Sequence, residues 1–235
     1  VSIAKEAAKG FENRFVALDM GPTGKLMEPL GELSFDEAYE AFKEMAVAGE
    51  EAGAGLCLIE TMSDTYEVKA AVLAVKENTA LPVFVTMIFD EQGKLLTGGD
   101  IPAVVAMLEG LRVDALGLNC GAGPEQMMKL LPQLFDCTCL PVIVNPNAGL
   151  PVSVNGKTVF NVGPEEFSAD MEKIGLMGAW MLGGCCGTTP EHLKATVERC
   201  RNIEPKPLPK PSRTVVSSYA KAVELGEVSV IVGER

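Results

Sequence analysis

Six short apolar runs recur along the chain, at Phe15 to Leu18, Leu56 to Ile59, Pro82 to Ile88, Ala115 to Leu118, Pro141 to Val144 and Ala179 to Leu182. Each has the length and composition of a buried parallel strand. Between them lie segments with helix-start signals, such as Ser34 followed by Glu37 in capping-box spacing and Thr189 followed by Pro190. Strands alternating with helices at roughly 30 residues per unit require a parallel sheet, either open or closed into a barrel. The polar residues choose between the two. Asp19, Glu60, Asn119 with Cys120, Asn145 with Asn147, and Cys185 with Cys186 all stand at strand ends. A barrel brings such ends to one face, whereas an open sheet spreads them along an edge. The expected fold is therefore an α/β (β/α)8 TIM barrel, N-terminally truncated, with about six of its eight units present and Val1 to Gly10 as the tail of a preceding helix.

The barrel is expected to occupy residues 1–203. Residues 204–227 open with Glu-Pro-Lys-Pro-Leu-Pro-Lys-Pro and read as a stiff, solvated connecting segment. Val228 to Gly233 reads as the first strand of a following domain, 228–235. Val152 to Asn161, with Asn155 and Gly156 at its centre, carries a strong hairpin signal inside the barrel.

Net charge of -12 and a pI near 4.6 exclude a phosphate-neutralising nucleic-acid binder. No apolar run reaches the roughly 20 residues of a membrane span and no secretory signal is visible, so a cytoplasmic location is the default. Seven cysteines form no even framework at short spacing, which points to reduced thiols.

Cys185 and Cys186 sit in Gly183-Gly184-Cys185-Cys186-Gly187-Thr188-Thr189-Pro190, and Cys120 ends a different strand. Three thiolates with one open position suit a catalytic zinc ion. Spacing alone leaves two other readings open: small apolar residues in glycine-rich turns, or a vicinal redox pair. Cys57, Cys137, Cys139 and Cys200 read as structural, and His192, in the first turn of its helix, as a solvent-facing or capping residue. Glu60 is placed to receive a substrate ammonium group. Asn119 and Asn147 are placed either to position a substrate or to support the cysteine loops, and Asp19 either to line the same mouth or to organise a turn before Met-Gly-Pro-Thr-Gly.

The motifs Asp19-Met20-Gly21-Pro22-Thr23-Gly24, Ile59-Glu60-Thr61, Gly117-Leu118-Asn119-Cys120-Gly121, Asn145-Pro146-Asn147-Ala148-Gly149 and Gly183 to Pro190 occur in order. Through them the chain resembles the homocysteine S-methyltransferase domain family, and within it the homocysteine-binding modules of cobalamin-dependent methionine synthases. That resemblance implies a Zn2+ ion on Cys120, Cys185 and Cys186, with homocysteine as the substrate. It supports Glu60 as a substrate contact, with Asn119, Asn147 and Asp19 remaining candidates from their strand-end positions, and no separate protein base is assigned. Methylcobalamin and methyltetrahydrofolate would come from other modules of the polypeptide, the tail at 228–235 resembling the start of a folate-binding (pterin) module. A related thiol methyltransferase drawing on betaine or S-methylmethionine, and a non-catalytic truncated barrel, are the alternatives. One departure stands out: the family's Asp-Gly-Ala-Met-Gly-Thr motif has no counterpart before Asp19.

Overall fold

The computed structural model describes the chain except residues 155, 211–212, 227–228, 230–232 and 234–235. Its elements run α1 (Ser2–Ala8), β1 (Ala17–Met20), α2 (Phe35–Glu51), β2 (Leu56–Met62), α3 (Thr65–Asn78), β3 (Val83–Met87), α4 (Ile101–Gly110), β4 (Ala115–Asn119) and α5 (Pro124–Cys137). They continue with β5 (Val142–Asn145), β6 (Pro151–Val154), β7 (Lys157–Phe160), α6 (Pro164–Met177), β8 (Met181–Leu182), α7 (Pro190–Cys200), β9 (Thr214–Ser217) and β10 (Ala222–Leu225).

The six expected apolar runs become one parallel sheet in the order β1-β2-β3-β4-β5-β8. The register places Leu18 beside Cys57, Ile59 beside Val85, Met87 beside Leu118 and Leu118 beside Val144. Side chains alternate along a strand, so these residues share one face. On that face Cys57, Ile59, Val85, Leu118 and Val144 are buried beneath the helices. Close approach is visible at Gly49 of α2, where an added Cβ would come within 2.5 Å of the Leu18 side chain. Asp19, Leu58, Thr86, Gly117, Asn119 and Asn145 alternate onto the opposite face, the lumen side.

Each helix from α2 onward packs against the next in sequence through to α7. All of them therefore cover one side of the sheet, as in an α/β barrel and unlike a doubly wound sheet. Local chemistry sets the helix starts. Ser34 and Glu37 form the expected capping box, Asp64 accepts from Tyr66 N and Glu67 N, and Asp100 caps α4 through Ala103 N. Helices α5 and α6 each begin with proline after a glycine.

Two antiparallel hairpins stand outside the sheet. β6 pairs with β7 as the Asn155-Gly156 signal predicts, Asn155 itself lying outside the described residues. β9 pairs with β10 inside the stretch read as a connecting segment and rests on α4. The expected strand at 228–233 falls largely outside the described residues. Among the described residues no helix is long and apolar enough to cross a membrane.

Candidate metal and substrate site

The end of β4 is built to turn sharply. After Asn119, both Cys120 (φ 54) and Gly121 (φ 68) adopt left-handed backbone. For a residue with a Cβ this costs about 1–3 kcal/mol. The turn is held by Cys120 N donating to Asn145 O at 3.1 Å and by Ala122 N donating to Cys120 O at 2.7 Å. It carries the Cys120 sulfur toward the end of β8.

The vicinal pair is clamped by the loop after β5. Cys185 N donates to Pro146 O at 2.8 Å, and Cys186 N donates to the Asn147 side-chain oxygen at 3.0 Å. Ala148 N in turn donates to Cys186 O at 2.9 Å. Glycine is required beside the pair: Gly187 has φ 79, and a Cβ there would meet the Phe160 ring at 2.3 Å.

The sulfurs of Cys120 and Cys186 lie 3.8 Å apart and those of Cys185 and Cys186 4.0 Å apart. All three fall within 4.8 Å of one another. Two thiolates at roughly 2.3 Å from a tetrahedral ion stand about 3.8 Å apart, so the three sulfurs fit a single metal centre. Cys186 is exposed, leaving the cluster open to solvent. Burial and then the neighbouring thiols of Cys120 and Cys186 push the Cys185 thiol up to about 12. Cys186 is raised as well, first by burial and then by its hydrogen bond to Cys120. Without a cation these two thiols therefore keep their protons at neutral pH.

Asn119 joins this cluster to β2. Its side-chain oxygen accepts from Thr61 N at 2.9 Å, and its Nδ2 donates to Thr61 Oγ1 at 2.7 Å and toward Cys185 Sγ at 3.9 Å. Thr61 is held in left-handed backbone (φ 65) at an irregularity of the β2–β3 register. Next to it, at the end of β2, Glu60 is half-buried. Burial raises its carboxyl above the usual range, and the negative charge of Asp19 adds to this. Asp19, near the end of β1 and exposed overall, is itself raised by partial desolvation of its carboxyl.

Both asparagines thus serve the loops: Asn119 and Asn147 are buried and engaged by Thr61 and Cys186. His192 is 6% exposed, which corrects the solvent-facing alternative and keeps the capping one. Its Nδ1 accepts from Thr189 N at 3.2 Å, so Nε2 carries the proton donated to Val162 O at 2.9 Å. Cys57 packs under the sheet against Met20, while Cys137, Cys139 and Cys200 stand apart from the sulfur cluster. Sequence reading missed Glu67 and Thr23. The buried Glu67 carboxylate accepts from Thr23 N at 2.7 Å and Thr23 Oγ1 at 2.6 Å, tying the loop after β1 to α3.

A family model described as homocysteine S-methyltransferase matches residues 1–200. The chain belongs to that family. Methionine synthase from Mycobacterium leprae (strain TN) is 34% identical over 99% of this chain, and methionine synthase from Mycobacterium tuberculosis (strain ATCC 25618 / H37Rv) 33% identical over 99%. Each match covers 20% of the relative, so the chain spans about a fifth of their length. Among solved structures, the apo form of the homocysteine methyltransferase MmuM from Escherichia coli superposes with a TM-score of 0.65 at 26% identity. That superposition covers 79% of this chain and 63% of MmuM. The metallated form of MmuM superposes at 0.56 with 28% identity, over 70% and 52% of the two chains.

Proposed function

We propose that this chain is the homocysteine-activating module of a cobalamin-dependent methionine synthase, passing a methyl group to the homocysteine thiol to give methionine. The observation that carries the reading is the meeting of three cysteine sulfurs from two separate strand ends at the spacing of one tetrahedral ion. Cys120, Cys185 and Cys186 would hold zinc, which when bound presents a ligating thiol as a nucleophilic thiolate at neutral pH. Three thiolate ligands leave such a centre with a net charge of about -1, which keeps a fourth sulfur electron-rich enough for alkyl transfer.

The chain's own residues do the rest. Glu60 receives the substrate ammonium at the lumen mouth, with Asp19 adding negative charge beside it. Asn119 holds the Glu60-Thr61 end of β2 at a fixed distance from Cys185, and Asn147 fixes the Cys186 backbone. No side chain is assigned as a base: with zinc held by the three cysteines the substrate thiol would give up its proton to solvent, to which the exposed Cys186 leaves the cluster open. The methyl group would reach the barrel mouth from other modules of the polypeptide, with methylcobalamin as its carrier and methyltetrahydrofolate, on a folate-binding module after residue 227, as its source.

Extent of similarity supports this reading over one with betaine or S-methylmethionine as donor. The methionine synthases match 99% of the chain, including residues beyond 200 where the family model stops. The test is zinc analysis of the purified chain with X-ray absorption at the zinc edge. One zinc per chain is expected, lost in Cys185→Ala, with sulfur coordination rising from three to four on adding homocysteine. A chain that binds no zinc, or whose zinc ignores homocysteine, would refute the proposal.

A further inference from the structure

The described residues between 203 and 225 lie along the barrel and do not hang free of it. Trp180 Nε1 donates to Lys206 O at 3.1 Å, Lys206 Nζ donates to Met177 O at 3.0 Å, and the Arg213 guanidinium donates to the Asp136 carbonyl. All of these groups sit at the rim where the strands begin. β9 then rises along α4, and the tip between β9 and β10 reaches the opposite rim, where the strands end. There Asp100 N donates to Ala220 O at 3.3 Å, Thr65 Oγ1 to Tyr219 O at 3.5 Å, and the Tyr219 hydroxyl to Asp64 Oδ2 at 3.0 Å.

Asp64 is 5% exposed, and its other oxygen accepts from Tyr66 N at 2.6 Å and Glu67 N at 3.3 Å. It closes the short turn that follows β2, the strand whose last residues include Glu60 and Thr61. That turn is fixed at its start by Asn119 on Thr61 and at its end by Asp64 on α3. Thr97 adds a donor to the Ser63 carbonyl inside it. Tyr219 is 39% exposed, but partial desolvation of its hydroxyl raises the phenol above its ordinary value, so it stays protonated and donates. A buried carboxylate oxygen deprived of its donor must find another partner or move.

We infer that Tyr219 is a positioning residue for substrate: by holding Asp64 it fixes the Glu60-Thr61 end of β2 from a hairpin more than 150 residues away in sequence. This rests on the reading of Glu60 as the group that receives the substrate's amino-acid end. The hairpin thereby makes the chain beyond the last barrel helix part of the substrate site's framework.

The test is Tyr219→Phe in the full, zinc-loaded chain, which keeps the ring and removes only the hydroxyl. Zinc content should be unchanged, affinity for L-homocysteine by calorimetry should fall about tenfold, and affinity for 2-mercaptoethanol, which lacks the amino-acid end, should hold. Amide exchange across residues 61–67 should quicken. Equal weakening of both thiols, or unchanged exchange at 61–67, would overturn the inference. Asp64→Ser, which keeps an N-cap for α3 but is too short to reach the Tyr219 hydroxyl, should reproduce the pattern and serves if the first variant folds poorly. If the parent chain binds zinc but no homocysteine, the proposed function fails, and exchange at 61–67 alone decides for or against the brace.

Discussion

Asn119 joins two parts of the site that the sequence places 58 residues or more apart, Thr61 on one side and Cys185 on the other. Replacing it with alanine leaves the Thr61 N–H without its partner in a half-buried position, a loss of about 1 kcal/mol. Asn119→Ala should therefore lower stability in urea unfolding by that amount and weaken zinc in competition with a chromophoric chelator. Glu60 behaves oppositely. Burial and then Asp19 raise its carboxyl, so the ionised form is disfavoured in the fold. The stability linked to this group is present in acid and declines as pH rises through its raised pKa. Glu60→Gln should consequently leave the melting temperature unchanged or higher at neutral pH while weakening homocysteine. Homocysteine affinity in the parent should fade on acidification at a pH above that of an ordinary carboxylate, as a calorimetric pH series would show. A strand-end Glu after an apolar run was legible in the sequence. The left-handed Thr61 and its pairing with Asn119 were not, because both depend on the register across β3.

Elements whose signals are local were the legible ones. The apolar runs, the Ser34-Glu37 box and the Asn155-Gly156 turn each depend on neighbours within a few residues. β9–β10 escaped notice because Thr214 to Ser217 and Ala222 to Leu225 are joined by Ser-Tyr-Ala-Lys, which has no glycine or asparagine, and follow a proline-rich run. Their pairing is favoured by the surface of α4, which composition does not reveal. The Cys185-Cys186 turn gives the sharper contrast between a local and a site-forming feature. Gly187→Ala puts a Cβ against Phe160 at a φ of 79, so either the ring or the turn must shift. A loss of about 1–3 kcal/mol is expected, together with weaker zinc binding. Ser34→Ala should cost about 1 kcal/mol through its cap alone and leave zinc affinity untouched. Equal effects of the two variants on zinc would count against the turn as a positioning element.

Across the whole molecule, a shared ion would tie the end of β4 to the end of β8, closing a loop of 66 residues between Cys120 and Cys186. An ion that binds only the folded chain adds about 2.7 kcal/mol at a hundredfold excess over its dissociation constant. Protons oppose it, because Cys185 and Cys186 are both raised and must lose theirs on ligation. The metal-free chain has the reverse dependence. Cys57 is pushed from 9.0 to about 12 by burial and then by Asp19, and its contribution is whole below 9.0 and is lost as pH climbs toward 12. Zinc-free protein should thus weaken progressively in alkali, while the gain in melting temperature on adding zinc should grow from pH 6 to pH 8. Calorimetry in buffers of different ionisation enthalpy should register proton release on binding. A gain of the same size in Cys185→Ser, or one that does not change with pH, would place the stabilising ion somewhere other than the three sulfurs.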